Sequence, residues 1–201
     1  MSTGMLILAA CGVPDGGDVR TVDRDAVPYR LLESDQPSPA PTTGAITRAT
    51  APAVFWVDGD RLLPEATADS CTSSPSLLVE HLLTSLTTGP SEEARAAGRS
   101  SALPTDFVLH LVAVRGGTAE VDIDPGASLS AEQLPLAVAQ VVLTVTTAPA
   151  VEAVTFVDDG EQVRAPMPGG VLTEGPVRPG DYEEFLPTAL RPAESLGCPA
   201  P

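Results

Sequence analysis

The apolar positions of this chain fall into three strand-turn-strand patterns separated by two helical ones. Val54-Phe55-Trp56-Val57, then Asp58-Gly59-Asp60, then Arg61-Leu62-Leu63 reads as a β-hairpin, because Asp-Gly supplies the positive φ of a tight turn. Ser74-Pro75 predicts a helix start, with serine as N-cap and proline in the first turn. Leu78, Leu82 and Leu86 recur at i, i+4 and i+8 beside Leu77 and Leu83, and Gly89-Pro90 stops the helix. A short acidic helical turn from Ser91 to Ala97 follows. Phe107 to Val114 and Thr118 to Asp124 flank Gly116-Gly117, a second hairpin signal. That register pairs Val114 with Ala119 and Val112 with Val121, and it sets His110 opposite Ile123 on the apolar face. Pro135 belongs in the first turn of a second helix, since deeper placement would clash with the carbonyl four residues back. Val138, Val141, Val142 and Val145 form the predicted buried stripe of that helix, which Ala148-Pro149 ends. Val151 to Val157, Asp158-Asp159-Gly160 and Glu161-Gln162-Val163 make a third hairpin.

The order hairpin, α, hairpin, α, hairpin predicts an α+β fold. Its natural closure packs two helices on one face of a small, mostly antiparallel sheet. Phe55-Trp56-Val57-Asp58-Gly59-Asp60 and Phe156-Val157-Asp158-Asp159-Gly160 look alike, and we read them as similar edge hairpins rather than a duplication. The predicted folded unit is residues 53–165. Ahead of it, residues 12–52 are a polar segment and then a linker. From Gln36 to Pro52 the composition is Pro, Ser, Thr and Ala, with too little apolar surface to offset ordering entropy. Extended, that stretch reaches roughly 50 Å at about 3.1 Å per residue. Residues 166–201 read as a Pro/Gly-rich C-terminal tail with one apolar patch at Tyr182, Phe185 and Leu186.

Composition narrows the function classes. With 27 acidic residues against 11 arginines, the formal net charge is −16. Such a chain repels phosphate backbones, so nucleic acid is not an expected partner. It contains no Lys and no Asn, whose codons are AT-rich, and this points to a high-GC source such as an actinobacterium. No apolar run outside the N-terminus approaches the ~20 residues of a spanning helix.

Leu8-Ala9-Ala10-Cys11-Gly12 closes a short apolar run from Met5. The pattern of an aliphatic residue, two small residues and a cysteine resembles the bacterial lipoprotein box. The resemblance implies residues 1–11 as a signal remnant, cleavage before Cys11 and lipid on its thiol, including a palmitate-type acyl chain. It also implies a location at the outer face of the cytoplasmic membrane. A secretory signal has a basic region and about 7–15 apolar residues; here no basic residue precedes the run, so a basic region upstream of Met1 is expected. The linker is then a tether. With Cys11 lipidated, two cysteines remain, Cys71 and Cys198, and outside the cytoplasm such a pair persists as a disulfide.

Candidate chemistry is sparse. Only two histidines are present and there is no CxxC, so neither a metal site nor a cofactor is expected. His81 follows Leu77 and Leu78 at i+4 and i+3 and borders the helical stripe. Asp122 and Asp124 share the strand face opposite Val121 and Ile123; two carboxylates at period two, with His110, are the set an envelope hydrolase could use as acid and base. Solvated strand faces carry the same pattern. Asp58, Asp60, Asp158 and Asp159 are turn residues before they are calcium ligands, and they lack EF-hand spacing. Ser100, Ser101, Ser128 and Ser130 lack a nearby base, and Ser130 with Gln133 fits a capping box. Trp56 is the only tryptophan, and with aromatics at 3% a carbohydrate-stacking cleft is poorly supported.

Several segments together resemble the GerMN domain, the module named after spore-germination proteins. They are Leu82-Leu83-Thr84-Ser85-Leu86 with Gly89-Pro90-Ser91-Glu92-Glu93-Ala94, Ser101-Ala102-Leu103-Pro104, Val112 to Asp122, Leu136 to Thr144, and Val154-Thr155-Phe156. The resemblance spans roughly 75–163. It implies no catalytic residues. It implies instead a non-enzymatic, lipid-anchored interaction module in envelope assembly, or an accessory to a membrane partner or to peptidoglycan. A binder of peptidoglycan or a small ligand is the alternative, ahead of a hydrolase using Asp122 and Asp124.

Overall fold

Strand β1 (Ala53–Asp58) carries five buried residues in a row, Ala53 to Val57, and pairs antiparallel with β2 (Arg61–Ala66) from Ala53–Ala66 to Asp58–Arg61. A strand buried on both faces needs partners above, below and on each edge, and the rest of the fold supplies them. The computed structural model describes residues 51–124 and 129–199, all within one compact unit, Gly44–Pro201. Cys11, its flanking signal segment and the tether up to residue 50 lie outside the described residues, as does Ser128.

Helix α1 (Pro75–Thr88) starts at a proline and stops at Gly89, whose φ of 87° only glycine adopts freely. Ser74 stands at the cap position but its side chain makes no capping bond. The buried set is Leu78, Val79, Leu82, Leu83 and Leu86, whereas Leu77 is 58% exposed. At 100° per residue those five share one side and Leu77 points the opposite way, so Leu77 does not belong to the stripe. Helix α2 (Glu92–Ala96) is capped by the Ser91 hydroxyl, which accepts from the Ala94 amide at 3.1 Å.

Strands β3 (Val108–Arg115) and β4 (Thr118–Asp124) form the second hairpin, with Gly116 at φ 56° and Gly117 at φ 78°, the left-handed pair of a two-residue turn. Val114 pairs with Ala119 as expected, but a bulge at Val112 shifts the register beyond it, so Leu111, not Val112, lies opposite Val121. One inserted residue reverses which side chains face inward. Leu109 becomes the buried residue opposite Ile123. His110 faces Asp122 across the strands and is exposed, which corrects its expected place on the apolar face.

Helix α3 (Leu134–Val145) has Pro135 in its first turn and connects β4 to β5 (Ala153–Asp158), which runs parallel to β4 from Thr118–Ala153 to Asp122–Val157. β6 (Glu161–Val163) closes the third hairpin. The strands therefore split into a two-stranded sheet β1-β2, a four-stranded mixed sheet β3-β4-β5-β6, and a small pair β7 (Ala165–Pro166) and β8 (Leu172–Thr173). The third hairpin turns on Asp159 (φ 50°) and Gly160 (φ 81°), whereas in the first only Gly59 is left-handed. Both hairpins place a two-residue turn directly after the Asp that ends the first strand, so the two look-alike segments differ in turn geometry and not in turn position.

Helix α3 lies at the centre. From Ala139 to Val145 every residue is buried, because β1, α1, the mixed sheet and the C-terminal segment pack around it. Val138, expected in the buried stripe, is only partly covered. Within this core Gln140, Thr144 and Thr147 are polar and fully paired. Gln140 Nε2 donates to the Phe55 carbonyl at 2.8 Å, the Thr144 hydroxyl accepts from the Phe55 amide at 3.0 Å, and the Thr147 hydroxyl accepts from the Ala53 amide at 3.1 Å. Val57 and Ser100 exchange both backbone bonds, at 2.8 and 2.9 Å. Helix side chains and one bridging residue thus replace the neighbouring strand that β1 lacks on its free edge.

The folded unit does not end at residue 165. Val177, Tyr182, Leu186, Leu190, Ala193 and Leu196 are core residues, and Val177 bridges Val154 of β5. The Pro/Gly-rich composition reflects a chain built from short 3₁₀ turns at Pro179–Phe185, Thr188–Leu190 and Ala193–Ser195, each delivering one or two apolar anchors. Cys198 is disulfide-bonded to Cys71, with Cα atoms 5.5 Å apart, and its amide donates to the Thr147 carbonyl at 2.9 Å. Among the described residues no helix is long and apolar enough to cross a membrane.

Candidate binding cleft

An apolar cleft of about 290 Å³ opens between the mixed sheet and the first half of α3. Its floor is Leu109, Ile123 and Phe156 of β3, β4 and β5. Leu134, Ala137, Val138 and Val141 of α3 form one wall, and Pro166 with Leu172 of the β7–β8 pair forms the other. Phe107 and Leu129 border it, and the exposed Asp158 and Arg164 flank it. The bulge at Val112 is what turns Leu109 and Leu111 inward; without it, His110 would stand where the apolar floor is. Leu172, 49% exposed, and the half-covered Val138 show that this part of the interior is left partly open.

The side chains singled out for chemistry do not converge on this cleft. Asp122 and His110 sit across from one another on the outward face of β3–β4, and Asp124 is exposed at the strand end opposite Val108. His81 does not border the core: it is exposed on α1, its Nδ1 3.4 Å from Asp69 Oδ1. Asp60 pairs with Arg61 at 3.5 Å on the surface. Ser101 belongs to the α3 network, its hydroxyl donating to Gln140 Oε1 at 3.3 Å. Ser130 meets Gln133 side chain to side chain at 3.1 Å, one turn ahead of the helix, rather than forming a reciprocal capping box. Among the described residues no group of three or more His, Cys, Asp or Glu is placed to hold a metal.

Sequence reasoning missed the cleft and the polar side chains inside α3. The signal for the second was present: Gln140 and Thr144 lie at i and i+4 in an otherwise apolar helix. The cleft depends on Pro166 and Leu172, which lie in the segment taken for a tail. Tyr182 in the same segment is fully buried, and its hydroxyl donates to the Pro166 carbonyl at 3.1 Å. Burial, with a smaller contribution from Asp181, holds its phenol well above the ordinary range.

The sequence profile of the Germane family, described as sporulation and spore germination, matches residues 23–164. Among solved structures, the tandem GerMN domains of the sporulation protein GerM from Bacillus subtilis are 18% identical, with a TM-score of 0.47 over 64% of this chain and 46% of that one. This chain thus spans less than half of that tandem structure. The first GerMN domain of the same protein is 17% identical, with a TM-score of 0.46 over 63% of this chain and 95% of that one. A candidate lipoprotein from Clostridium perfringens is 15% identical, with a TM-score of 0.44 over 67% of this chain and 91% of that one. No curated protein matches the chain. With the profile match running from residue 23 through the third hairpin at residue 164, the chain belongs to the Germane family of sporulation and spore-germination domains.

Proposed function

We propose that this chain is an envelope protein, held by lipid on Cys11 at the outer face of the cytoplasmic membrane, whose Germane domain works by binding a partner rather than by catalysis. The observation that carries the binding role is the apolar cleft, which offers an aliphatic and aromatic surface flanked by one carboxylate and one guanidinium. An interior left open on one side costs hydrophobic burial, and a partner side chain that fills it recovers that burial. Leu8-Ala9-Ala10-Cys11 and the tether that follows support the anchored location. The Cys71–Cys198 disulfide supports an oxidising compartment. The family is described by sporulation and germination, not by a reaction. The expected partner is an envelope protein or peptidoglycan.

Two experiments test the two halves. The gene is expressed with its upstream codons and labelled with a radioactive fatty acid. Label should enter the wild type and be lost from Cys11→Ala, and a labelled, membrane-bound Cys11→Ala protein overturns the anchor. A photocrosslinking residue at Leu172 should capture an envelope component in membranes, while the same residue at the equally exposed Leu77 should not. Capture at Leu77 alone would move the interaction away from the cleft.

A further inference from the structure

The interior of the cleft between the mixed sheet and α3 limits the size of what fills it. Its volume is about 290 Å³. An apolar cavity of about 150 Å³ holds benzene, so this one takes roughly ten to twelve carbons. A phenylalanine side chain is a benzene ring on one methylene and fills only about half of it. Space left empty beside an apolar wall forfeits dispersion contacts, so one side chain of a partner is a poor match.

Every lining side chain except those of Asp158 and Arg164 is hydrocarbon. A peptide main chain drawn into that interior finds no side-chain donor or acceptor for its amides and carbonyls, and each one left unpaired is costly. An alkyl chain brings nothing that needs a partner. Asp158 and Arg164 are exposed at the flank of the cleft, and among the described residues neither forms an ion pair or a side-chain hydrogen bond. Leu134, the first residue of α3, also lines the cleft, and that helix has no acidic residue in its first turn to offset its positive end. A few polar groups on an otherwise apolar pocket fix the orientation of a ligand. Here Arg164 and the helix end attract a carboxylate head, against the opposing charge of Asp158.

We propose that the cleft takes a single-chain fatty acid of roughly ten to twelve carbons, its alkyl chain inside and its carboxylate at Arg164. Two acyl chains of that length need twice the volume, so a two-chain membrane lipid does not enter whole. The proposal rests on the reading of this cleft as the binding site and names the class of molecule that fills its interior. A macromolecular partner then meets the filled cleft at its mouth, where Leu172 is half exposed.

The full chain carrying Cys11→Ser, which takes up no lipid of its own, is titrated by calorimetry with straight-chain carboxylates from hexanoate to hexadecanoate, each below its micelle concentration. Affinity should rise about fourfold per methylene, the gain from burying one, and level off near dodecanoate, where the cleft is full. Val138→Phe, at a half-covered wall position, takes up part of the volume and should move the levelling point to a shorter chain. Arg164→Gln, at an exposed position, should weaken dodecanoate roughly two- to fivefold and leave dodecanol unchanged. Asp158→Asn should strengthen dodecanoate alone. No saturable binding of dodecanoate, affinity that keeps rising through hexadecanoate, or the same response of dodecanoate and dodecanol to Arg164→Gln would overturn the inference. So would binding to phosphatidylglycerol vesicles without binding of dodecanoate, which assigns the apolar mouth to a membrane surface. If dodecanoate fails while the crosslinker at Leu172 still captures an envelope component, this inference alone falls; if both fail, the cleft is not the binding site.

Discussion

Gln140 on α3 donates its side-chain amide to the carbonyl of Phe55 on β1 at 2.8 Å, across 85 positions of sequence. The same side chain accepts from the Ala102 amide at 2.8 Å, so one residue joins the first hairpin, the central helix and the segment before β3. One turn further on, Thr144 meets the Phe55 amide, and Thr147 meets Ala53. The helix and Thr147 just past its end present a row of polar groups to the free edge of a buried strand, and each edge group they reach is paired.

This arrangement predicts that Thr144→Val, nearly the same shape, destabilises the domain by about 1–3 kcal/mol, since the Phe55 amide is left buried and unpaired. Gln140→Leu should cost at least as much, because it orphans both the Phe55 carbonyl and the Ala102 amide. Urea unfolding should show lower midpoints with unchanged slopes. Midpoints equal to wild type for both variants would show that the edge of β1 does not rely on α3.

Tyr182 predicts a loss of stability in alkali. Its phenol ionises in the unfolded chain near the ordinary value of 10.0, but burial keeps it neutral in the fold. Below pH 10 the group is protonated in both states and contributes no pH dependence. Above pH 10 the unfolded state binds fewer protons, so stability falls as pH rises. Denaturation midpoints measured from pH 8 to 12 should drop above pH 10 in wild type and drop less in Tyr182→Phe. At neutral pH that variant should lose only about 0.5–1.5 kcal/mol, the bond to Pro166. Parallel alkaline profiles would place the sensitivity elsewhere.

Much of the fold was legible because it rests on short-range signals. Gly116-Gly117, Asp159-Gly160, Pro75 with Gly89, and Pro135 each act within a few residues of chain, and each marks an element boundary in the structure. What was not legible depends on inserted or distant residues. The bulge at Val112 leaves no trace in an apolar run, yet it decides whether His110 or Leu109 faces the core. Residues 166–199 lack any period because their anchors Val177, Tyr182, Leu186, Leu190 and Leu196 sit on 3₁₀ turns and extended links. The cleft needs both effects, so it could not be read from the sequence.

Gly197 and Gly180 should respond differently to alanine. Gly197 has φ 90°, and a Cβ there would stand 2.8 Å from the Thr147 carbonyl oxygen and closer to its Cα. Backbone cannot step aside, and the left-handed geometry alone costs roughly 1–2 kcal/mol. Gly180→Ala meets only the carboxylate end of Glu194, which can swing away. Gly197→Ala should therefore lower the melting temperature clearly and Gly180→Ala hardly. The reverse order would mean that the approach of the C-terminal segment to Thr147 is not held in solution.

The disulfide is expected to dominate the stability of the C-terminal segment. It closes a sequence separation of 127 residues, worth roughly 4–5 kcal/mol in the chain-entropy description. Reduction, or Cys71→Ser with Cys198→Ser, should lower the unfolding midpoint by a corresponding amount. Because Leu190 and Leu196 pack into the core beside α3, hydrogen exchange around Thr147 and Val177 should quicken first. A reduced protein that melts with the oxidised one would show that the core anchors suffice without the covalent link.

The binding reading separates two faces of one hairpin. Asp122 and His110 point outward from β3–β4, with Asp124 exposed at the strand end, while Leu109 and Ile123 point into the cleft. If the cleft carries function, Leu172→Asp should abolish complementation of a deletion strain, because it puts a charge at the cleft mouth, where a partner would have to desolvate it. Leu172 is half exposed, so the melting curve should hardly move. Asp122→Ala, Asp124→Ala and His110→Ala should each complement fully, since no reacting group is asked of them. Inactive carboxylate variants with unchanged melting curves, alongside an active Leu172→Asp, would replace binding by catalysis on the outer face of the sheet.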